Sequence, residues 1–436
     1  MLKKLFSNTA ALVLVCTAIL AMCLAACGYT GDQREVSYSV SENGSSSYSG
    51  SQSSSPHSTQ SSNSSITGNS GNVQEEIVME TDSELFTERD LTQTADLSEA
   101  QTVTVTSDST YTIDKDGVYV LSGTAENFTV VVDAGDEDKI QLVLDGLNVT
   151  NENDPVIYVK NADKVFVTST GAESTLTVTG TFSSDGSTST DAVIFSKDDL
   201  VLNGIGTVTI GSTDNGVSCK DDLKVTGGTW NITCTADALE ANDSIAVAGG
   251  TLNIRTSKDG LHAEYDEDNT VGWITIEGGV LNITAKDDAV HATTVLTVNG
   301  GELNITAAEG LEATQIEING GTVDITATDD GINAGQKSKA LSVGITVNGG
   351  EISIDMGAGD TDAVDSNGYL TITGGTFDIS AQSAFDADGT ISWTGGTIYV
   401  NGSQISTITS QMMGGGMMGG MPGGGMQGGM PGGNKH

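Results

Sequence analysis

Residues 274–284 read Ile-Thr-Ile-Glu-Gly-Gly-Val-Leu-Asn-Ile-Thr, and residues 296–306 read Leu-Thr-Val-Asn-Gly-Gly-Glu-Leu-Asn-Ile-Thr. In both stretches a Gly-Gly pair separates two short segments in which apolar and polar residues alternate. Most such pairs are 20–25 residues apart, and two of the intervals are 29 residues long. The pairs begin at Gly227, Gly249, Gly278, Gly300, Gly320, Gly349, Gly374 and Gly395. The chain therefore contains an internal repeat with a period of about 22 residues.

A third short segment follows a polar turn in each repeat, as in Leu261-His262-Ala263. Alternation with period 2 sends aliphatic side chains to one face of a strand and polar ones to the other. The Gly-Gly pair permits a corner that a Cβ or a negative φ would obstruct. Three short strands per repeat predict an all-β fold, a right-handed parallel β-helix over residues 100–405. Its stacked coils would bury one apolar core. A propeller blade needs about 40 residues, and the leucine-rich signature is missing.

The N-terminus predicts the compartment. A charged start and a short apolar run are typical of a signal peptide over residues 1–26. The run ends Leu24-Ala25-Ala26-Cys27-Gly28, which resembles a bacterial lipobox, so we expect lipid attachment at Cys27. Two or more acyl chains give stable anchoring. The alternative is an ordinary secretory peptide with a chance cysteine. We expect the protein on the extracellular face of the cell membrane, held there only by its lipid anchor.

The segments that flank the repeat have a different composition. Residues 27–74 are rich in Ser and Gly and predict a flexible, lipid-anchored stalk. Residues 75–99 contain charged and apolar residues, and we expect them to cap the first coil. Residues 406–436 form a Met- and Gly-rich tail that composition predicts to be disordered. Thioether ligands favour Cu(I), which leaves a copper-binding tail as the alternative.

The chain is strongly acidic, with 58 acidic and 17 basic residues and a net charge of −41. This charge repels nucleic acid and anionic surfaces and favours cations that bind oxygen. Three of the five cysteines lie before residue 28, so no disulfide framework is expected. Cys219 and Cys234 fall at inward positions on different strands, which predicts buried free thiols.

Acidic residues recur in the turn before the third strand. In stacked coils, equivalent residues lie about 4.8 Å apart, where like charges repel unless cations intervene. We therefore predict Ca²⁺, which takes 6–8 oxygen ligands; the alternative is a solvated acidic face. Lys258 and Lys286 would neutralise this corner in part. The predicted metal-site residues are Asp237, Glu240, Asp259, Asp287, Asp288, Glu309, Glu312, Asp329, Asp330, Asp362 and Asp365.

Two other columns are predicted from the same periodicity. His262 and His291 occupy equivalent positions and could bind a transition metal with Glu240 or Glu312, although an exposed pair without a role is the simpler interpretation. The second strand carries a column of amide and other polar side chains, whose amides can bond along the stack. That column contains Asn231, Asn253, Asn282, Asn304, Asp324, Ser353 and Asp378.

Both 29-residue repeats contain an additional loop, at residues 264–272 and 335–344. Two regular repeats separate them, so the loops could enclose a groove about 14 Å wide. Tyr265 and Trp273 flank the first loop, and exposed aromatic rings stack on sugars. We predict a carbohydrate site that contains Tyr265, Trp273, Lys258 and Lys286. Neutral insertions are the alternative. Trp230 and Trp393 fall inward and are predicted to be core residues.

The repeat also resembles a known family. Residues 195–202 read Phe-Ser-Lys-Asp-Asp-Leu-Val-Leu, and residues 218–225 read Ser-Cys-Lys-Asp-Asp-Leu-Lys-Val. With Gly117-Val-Tyr-Val-Leu-Ser-Gly-Thr upstream, these motifs resemble the clostridial carbohydrate-binding domain-containing proteins, surface lipoproteins similar in shape to pectate lyases. The resemblance covers about residues 83–405 and implies a calcium-bearing right-handed β-helix that binds cellulose or polygalacturonate. The motif decays to Ala-Asn-Asp-Ser-Ile at residues 241–245.

Three functions remain open from the sequence. The leading one is a monomeric, non-catalytic module that binds polysaccharide. A calcium-dependent polysaccharide lyase would need a Lys or Arg base, and Lys258, Lys286, Lys220 and Arg255 are the candidates. None of the lysines departs from the repeating pattern, which argues against catalysis. The third function is a structural surface adhesin.

Overall fold

The computed structural model describes residues 85–409, except Asp266 and residues 358–360. The predicted signal peptide, Cys27, the stalk, residues 75–84 of the predicted cap and the tail after residue 409 lie outside the described residues. The described part contains strands and turns but no helix. Accordingly, it contains no helix long and apolar enough to cross a membrane.

The strands are short and follow one another closely. The first group is β1 Gln101–Thr104, β2 Ser109–Ile113, β3 Gly117–Glu126, β4 Phe128–Asp133, β5 Lys139–Asn151, β6 Ile157–Asn161, β7 Lys164–Ser169, β8 Ser174–Val178, β9 Ser184–Asp185, β10 Thr188–Ser189, β11 Ala192–Ser196 and β12 Asp199–Gly204. The second group is β13 Thr207–Gly211, β14 Asn215–Cys219, β15 Asp222–Val225, β16 Thr229–Thr233, β17 Leu239–Ala241, β18 Ser244–Val247, β19 Thr251–Arg255, β20 Leu261–Ala263, β21 Trp273–Ile276, β22 Val280–Thr284, β23 Asp288–Val298 and β24 Glu302–Ala307. The third group is β25 Glu309–Ile318, β26 Thr322–Ala327, β27 Ile332–Ala334, β28 Gly344–Val347, β29 Glu351–Met356, β30 Val364–Ser366, β31 Tyr369–Ile372, β32 Thr376–Ser380, β33 Asp386–Ala387, β34 Ile391–Trp393, β35 Thr397–Val400 and β36 Ser403–Gln404.

The strands pair in parallel with their equivalents in the next repeat, which gives three ladders. Ladder 1 contains β1, β3, β5, β7, β12, β15, β18, β21, β23, β25, β28, β31 and β34. Ladder 2 contains β3, β5, β8, β13, β16, β19, β22, β24, β26, β29, β32 and β35. Ladder 3 contains β2, β4, β6, β11, β14, β17, β20, β23, β25, β27, β30 and β33. The predicted all-β class and parallel pairing are therefore confirmed.

One hydrophobic core runs through the stack from Val103 to Ile398. On ladder 2, the inward column that begins at Trp230 continues through aliphatic and aromatic side chains that are all buried. Trp230 is fully buried, as predicted, whereas Trp393 is only partly buried against the core. Cys219 and Cys234 are buried free thiols, which confirms that prediction.

The Gly-Gly corners have two separate steric requirements. The second glycine of each pair has a positive φ, for example 91° at Gly301, which residues with a Cβ rarely adopt. The first glycine packs against the previous repeat: a Cβ on Gly300 would lie 2.6 Å from the carbonyl oxygen of Glu277. The pairs therefore fix the phase of each repeat at the corner between ladders 1 and 2.

The described part of the expected N-terminal cap begins at residue 85. Residues 85–93 contact the side of ladder 1. Gln93 accepts a hydrogen bond from Gly204 N (2.9 Å) and donates to Thr226 O (3.1 Å). Asp90 is fully buried, with its carboxylate 3.6 Å from Lys224 Nζ. The polar groups of these residues find partners on the flank of the stack, and the end cap over residues 75–99 stays a prediction.

Candidate functional site

Ladder 3 carries the column of charged residues predicted from the repeat. The register confirms that these side chains occupy equivalent positions on successive strands. This charged column contains Glu240, His262, His291, Glu312, Asn333, Asp365 and Asp386. On the three-residue strands β17 and β20, Glu240 and His262 point away from the core, while the neighbouring Leu and Ala residues point into it.

The acidic turn just before ladder 3 is bound to the backbone of the next repeat. Asp237 Oδ1 accepts a hydrogen bond from the N–H of Asp259 (3.1 Å), and Asp259 Oδ1 accepts one from the N–H of Asp288 (2.9 Å). Asp330 Oδ1 accepts the N–H of Asp362 in the same way (3.1 Å). Asp237, Asp259 and Asp288 are buried. Hydrogen bonds from backbone donors therefore stabilise these carboxylates of the acidic turn.

The two histidines lie among these carboxylates and are not exposed, contrary to the simpler interpretation of the sequence. Their side chains are 13% and 12% exposed, and the rings pack edge to face with centroids 4.9 Å apart. His262 Nδ1 lies 3.2 Å from Asp237 Oδ2, and His291 Nδ1 lies 2.8 Å from Asp288 Oδ2 and 2.7 Å from Glu312 Oε2.

These contacts shift the pKa of both histidines and their partners. Burial lowers the pKa of His262, but hydrogen bonds with Asp237 and Glu264 outweigh it and raise the pKa to about 9. The pKa of His291 rises to about 10, because its bonds with Asp288 and Glu312 likewise outweigh burial. Burial acts against the ionised form of Asp237, yet His262 and Lys258 lower its pKa to about 2. The negative charges of this half of the column are therefore balanced in part by the histidines.

Two lysines complete that balance. Lys258 Nζ lies 2.8 Å from Asp237 Oδ2, and Lys337 Nζ lies 2.5 Å from Glu312 Oε1. Sequence reasoning identified Lys258 as neutralising but missed Lys337. Lys337 belongs to the second additional loop, whose path the repeat does not determine. Lys286 is exposed at the same turn.

In the C-terminal half of the charged column, burial and neighbouring acids shift the pKa of two carboxyl groups upward. Burial and neighbouring acids, Asp362 and Asp386 among them, raise the pKa of Asp365 to about 6. The pKa of Asp330 also rises to about 6, through burial and the nearby acids Asp365, Asp329 and Asp362. Of the other predicted metal-site residues, Asp287 and Asp329 are exposed, and Glu240 accepts a hydrogen bond from Asn215 (2.8 Å) and pairs with Lys220 (3.2 Å).

The two additional loops do not enclose an open groove. Ser338 in the second loop donates a hydrogen bond to the carbonyl oxygen of Asn269 in the first (2.6 Å). Ser338 is fully buried, and its N–H donates to Thr314 Oγ1 on the strand beneath. The loops therefore meet above the two intervening repeats, which closes the groove at this contact, and the carbohydrate site at Tyr265 and Trp273 stays a prediction. Tyr265 and Trp273 are half-buried.

An all-oxygen cluster lies at the corner between ladders 3 and 1. Asp199, Asp221 and Asp222 each have an oxygen within 4.8 Å of the others. All three residues come from the doubled Lys-Asp-Asp-Leu motif. Leu200 pairs with Leu223 on the adjacent strand, so the two copies of the motif stack on each other. Burial and neighbouring carboxylates, Asp199 first among them, raise the pKa of Asp221 to about 7. Such a donor set fits Ca²⁺, although sequence reasoning placed the ion along residues 237–365.

A second surface of interest follows ladder 2. The predicted amide column is confirmed: Asn253 Nδ2 donates to Asn231 Oδ1 (2.8 Å), Asn282 Nδ2 to Asn253 Oδ1 (2.8 Å), and Asn304 Nδ2 to Asn282 Oδ1 (2.9 Å). These amides line an open groove of about 530 Å³, called here the amide groove, with threonine hydroxyls beside them. Its charged lining residues are Arg255 and Asp324. Sequence reasoning predicted the column but not the groove.

The amide column ends at an aromatic residue. Asp378 pairs with Tyr399 on the last strand of ladder 2, so Tyr399 occupies the same column three repeats beyond Asp324. Its side chain is 37% exposed. The face that contains the amide groove presents mostly amides and hydroxyls, with Tyr399 at one end of the column.

Comparison with known proteins adds a family to this geometry. The sequence model of the carbohydrate-binding domain-containing proteins matches residues 107–363. A protein of that description from Acetivibrio thermocellus is 38% identical over 121 residues, which cover 27% of this chain and 42% of the relative. The match thus spans less than half of the relative's length.

One similar solved structure is the gadolinium derivative of a polysaccharide lyase-like protein from C. thermocellum. It is 25% identical, and the alignment covers 59% of this chain and 97% of that chain with a TM-score of 0.44.

Proposed function

Because this chain belongs to the family of carbohydrate-binding domain-containing proteins, we propose that it binds a polysaccharide in the amide groove. The family match includes every residue that lines the groove, from Thr209 to Thr326. The observation that carries the proposal is the hydrogen-bonded amide ladder, Asn231 to Asn304, along the floor of that groove.

The amides keep hydrogen-bonding capacity after they have bonded to one another. A carboxamide has two N–H donors and an oxygen with two lone pairs. In the ladder, Asn253 and Asn282 each use one donor and one lone pair. The remaining donor and lone pair suit a sugar hydroxyl, which both donates and accepts. Repetition at about 4.8 Å intervals suits a polymer better than a single sugar.

The charge of the groove favours a neutral chain. The protein carries a net charge of −41, whereas the charged side chains that line the groove are one arginine and one aspartate. Long-range repulsion weakens the approach of an acidic polymer such as polygalacturonate. A neutral plant cell-wall polysaccharide such as cellulose is therefore the proposed ligand.

We further propose a scaffold, a bound ion and a membrane anchor for this module. The three parallel ladders support a right-handed parallel β-helix as the scaffold. Ca²⁺ at Asp199, Asp221 and Asp222 would relieve the repulsion that raises the pKa of Asp221. A lipid on Cys27 would hold this monomeric module on the outer face of the cell membrane.

Depletion from solution by insoluble cellulose tests the groove. Asn304→Ala removes one amide of the groove, and each lost hydrogen bond is worth about 0.5–1.5 kcal/mol, or roughly two- to tenfold in affinity. Asn348→Ala is the matched control, because Asn348 belongs to a separate amide ladder, with Asn319, at the Gly-Gly corner. We expect weaker binding for Asn304→Ala and unchanged binding for Asn348→Ala.

The variant Trp273→Ala distinguishes binding in the amide groove from binding at the carbohydrate site predicted at the first loop. If Trp273→Ala abolishes cellulose binding and Asn304→Ala leaves it intact, the sugar binds at Tyr265 and Trp273 instead. If neither cellulose nor polygalacturonate depletes the protein, the proposal is wrong. If a chelator abolishes binding to polygalacturonate, the acidic ligand binds through Ca²⁺ at the cluster of Asp199, Asp221 and Asp222.

We also propose that the module is not catalytic. A β-elimination base must be unprotonated near neutral pH. Burial lowers the pKa of Lys258, but its hydrogen bond to Asp237 and nearby carboxylates outweigh this and raise the pKa above its usual value. Lys258 is therefore a poor base. Unsaturated, ultraviolet-absorbing products from polygalacturonate and calcium would contradict this proposal.

A further inference from the structure

The histidine pair and the first additional loop converge on one point of the surface. We propose that His262, His291 and Glu264 form a binding site for a transition-metal dication such as Zn²⁺. One ring nitrogen of each histidine and one Glu264 carboxylate oxygen all lie within 4.8 Å of one another. His262 Nε2 and Glu264 Oε2 are 3.0 Å apart.

Buried carboxylates fix the orientation of both rings. His262 Nδ1 lies 3.2 Å from Asp237 Oδ2 and 3.4 Å from Asp259 Oδ2. His291 Nδ1 lies within 2.8 Å of both Asp288 and Glu312. A histidine that ligates a metal typically donates its other ring N–H to a carboxylate. Because Nδ1 is occupied in both rings, Nε2 is the nitrogen left to coordinate.

The ligand set selects the class of metal. Two imidazole nitrogens and one carboxylate oxygen are a common set for Zn²⁺ with an open fourth position. Ca²⁺ prefers oxygen alone, so it does not compete well here. The side chain of Glu264 is 45% exposed, which leaves room for a water molecule or another small ligand.

The surrounding charge also favours a dication. Asp237, Asp259, Asp288 and Glu312 surround the rings. Lys258 and Lys337 each contact one of these four carboxylates. Acidic partners on Nδ1 increase the basicity of the ligating nitrogen.

The metal would connect three parts of the chain. His262 and His291 lie on adjacent strands of ladder 3, and Glu264 begins the loop that contains Tyr265. Coordination would therefore fix the start of this loop to two successive repeats. This metal site is independent of the proposed carbohydrate function.

Titration of the full chain with Co²⁺, without a histidine tag, tests the site. Cobalt bound to nitrogen and oxygen ligands gives visible absorption bands that report the coordination, and Zn²⁺ should displace it. We expect the bands to saturate at a single ion per chain. Glu264→Ala and His262→Gln should weaken binding at least tenfold, while Glu267→Ala, a matched acid in the same loop, should not.

Asp237→Asn tests the orienting partner. The asparagine keeps an oxygen for the N–H of Asp259 but loses the charge, so we expect cobalt to bind about 10–100-fold more weakly. Circular dichroism verifies folding, and Glu264→Ala changes an exposed loop residue, so loss of binding there reports the site and not the fold. Absence of the bands in the unmodified chain, or bands that persist in Glu264→Ala and His262→Gln alike, would overturn the proposal.

Discussion

The amide column of ladder 2 and the charged column of ladder 3 are built on the same repeat but satisfy their polar groups differently. Asn231, Asn253, Asn282 and Asn304 are identical residues that bond to one another. The charged column changes residue type from repeat to repeat, with Glu240, His262, His291 and Glu312 in succession.

The difference follows from the stacking distance. Parallel pairing places equivalent side chains about 4.8 Å apart. An amide is both donor and acceptor, so identical amides can stack without limit. A carboxylate only accepts, and two neighbours repel. Neighbouring carboxylates are therefore stabilised where a backbone N–H, a histidine or a lysine lies between them, as at Asp237 and Glu312.

The largest predicted effect is the loss of a cation from the charged column. His291→Ala leaves Asp288 and Glu312 without their shared partner, and breaking a buried pair costs about 3–5 kcal/mol. We expect the lower end of that range, because Lys337 still contacts Glu312. Urea unfolding of the chelated protein measures the loss. If the loss of unfolding free energy is smaller than that of an amide substitution, His291 does not balance the charges of Asp288 and Glu312.

Removal of one amide should have a smaller effect. Asn282→Ala breaks the bonds to Asn253 and Asn304, each worth about 0.5–1.5 kcal/mol net. The groove is open, so water replaces the lost partners, and we expect a total of about 1–2 kcal/mol. No charge is left unpaired, so the loss should be the same at different pH values. A pH-dependent loss would mean that the amide ladder is coupled to the charged column.

Much of both columns was predictable, because the Gly-Gly pairs fix the phase of every repeat. Once Gly278 and Gly300 are aligned, Asn282 must stack on Asn304. Alignment of the third segments, Val290-His291-Ala292 and Leu311-Glu312-Ala313, places His291 on Glu312, and the register confirms both. The same phase predicted the buried positions of Trp230, Cys219 and Cys234. The right-handed coiling of the stack stays a prediction.

The parts that sequence reasoning missed have no repeat to set their path. The contact of Ser338 with Asn269 joins two loops 69 residues apart, and Lys337 reaches Glu312 from the same irregular loop. Gln93 contacts ladder 1 through backbone groups of Gly204 and Thr226, which carry no side-chain signature. The cluster of Asp199, Asp221 and Asp222 was missed because sequence reasoning followed the acidic turn before ladder 3 and not the start of the ladder 1 strands, where Asp199 and Asp222 stack.

The smallest predicted effect is a gain in stability. It comes from placing an amide side chain in the charged column. Asp365 follows Asn333 in the register, and Asn333 Oδ1 is buried without a hydrogen-bond partner among the described residues. Asp365→Asn supplies a donor in the direction that the amide ladder uses, worth about 0.5–1.5 kcal/mol, and removes a charge. We therefore expect a higher melting temperature at neutral pH, whereas Asp287→Asn, at an exposed position, should change it little.

The gain from Asp365→Asn should depend on pH in a defined direction. Burial and neighbouring acids raise the pKa of Asp365 in the folded chain to about 6, above the unfolded value of about 3.9. Ionisation therefore destabilises the fold fully above the folded pKa, and the penalty disappears as pH falls from about 6 towards 4. The unmodified chain should become more stable over that range, and its difference from Asp365→Asn should shrink, because a protonated carboxyl can itself donate to Asn333. Thermal unfolding across this range, with chelator present, measures both curves. Parallel curves would show that Asp365 is not repelled by its neighbours and that the contrast between the two columns does not extend to this end of the stack.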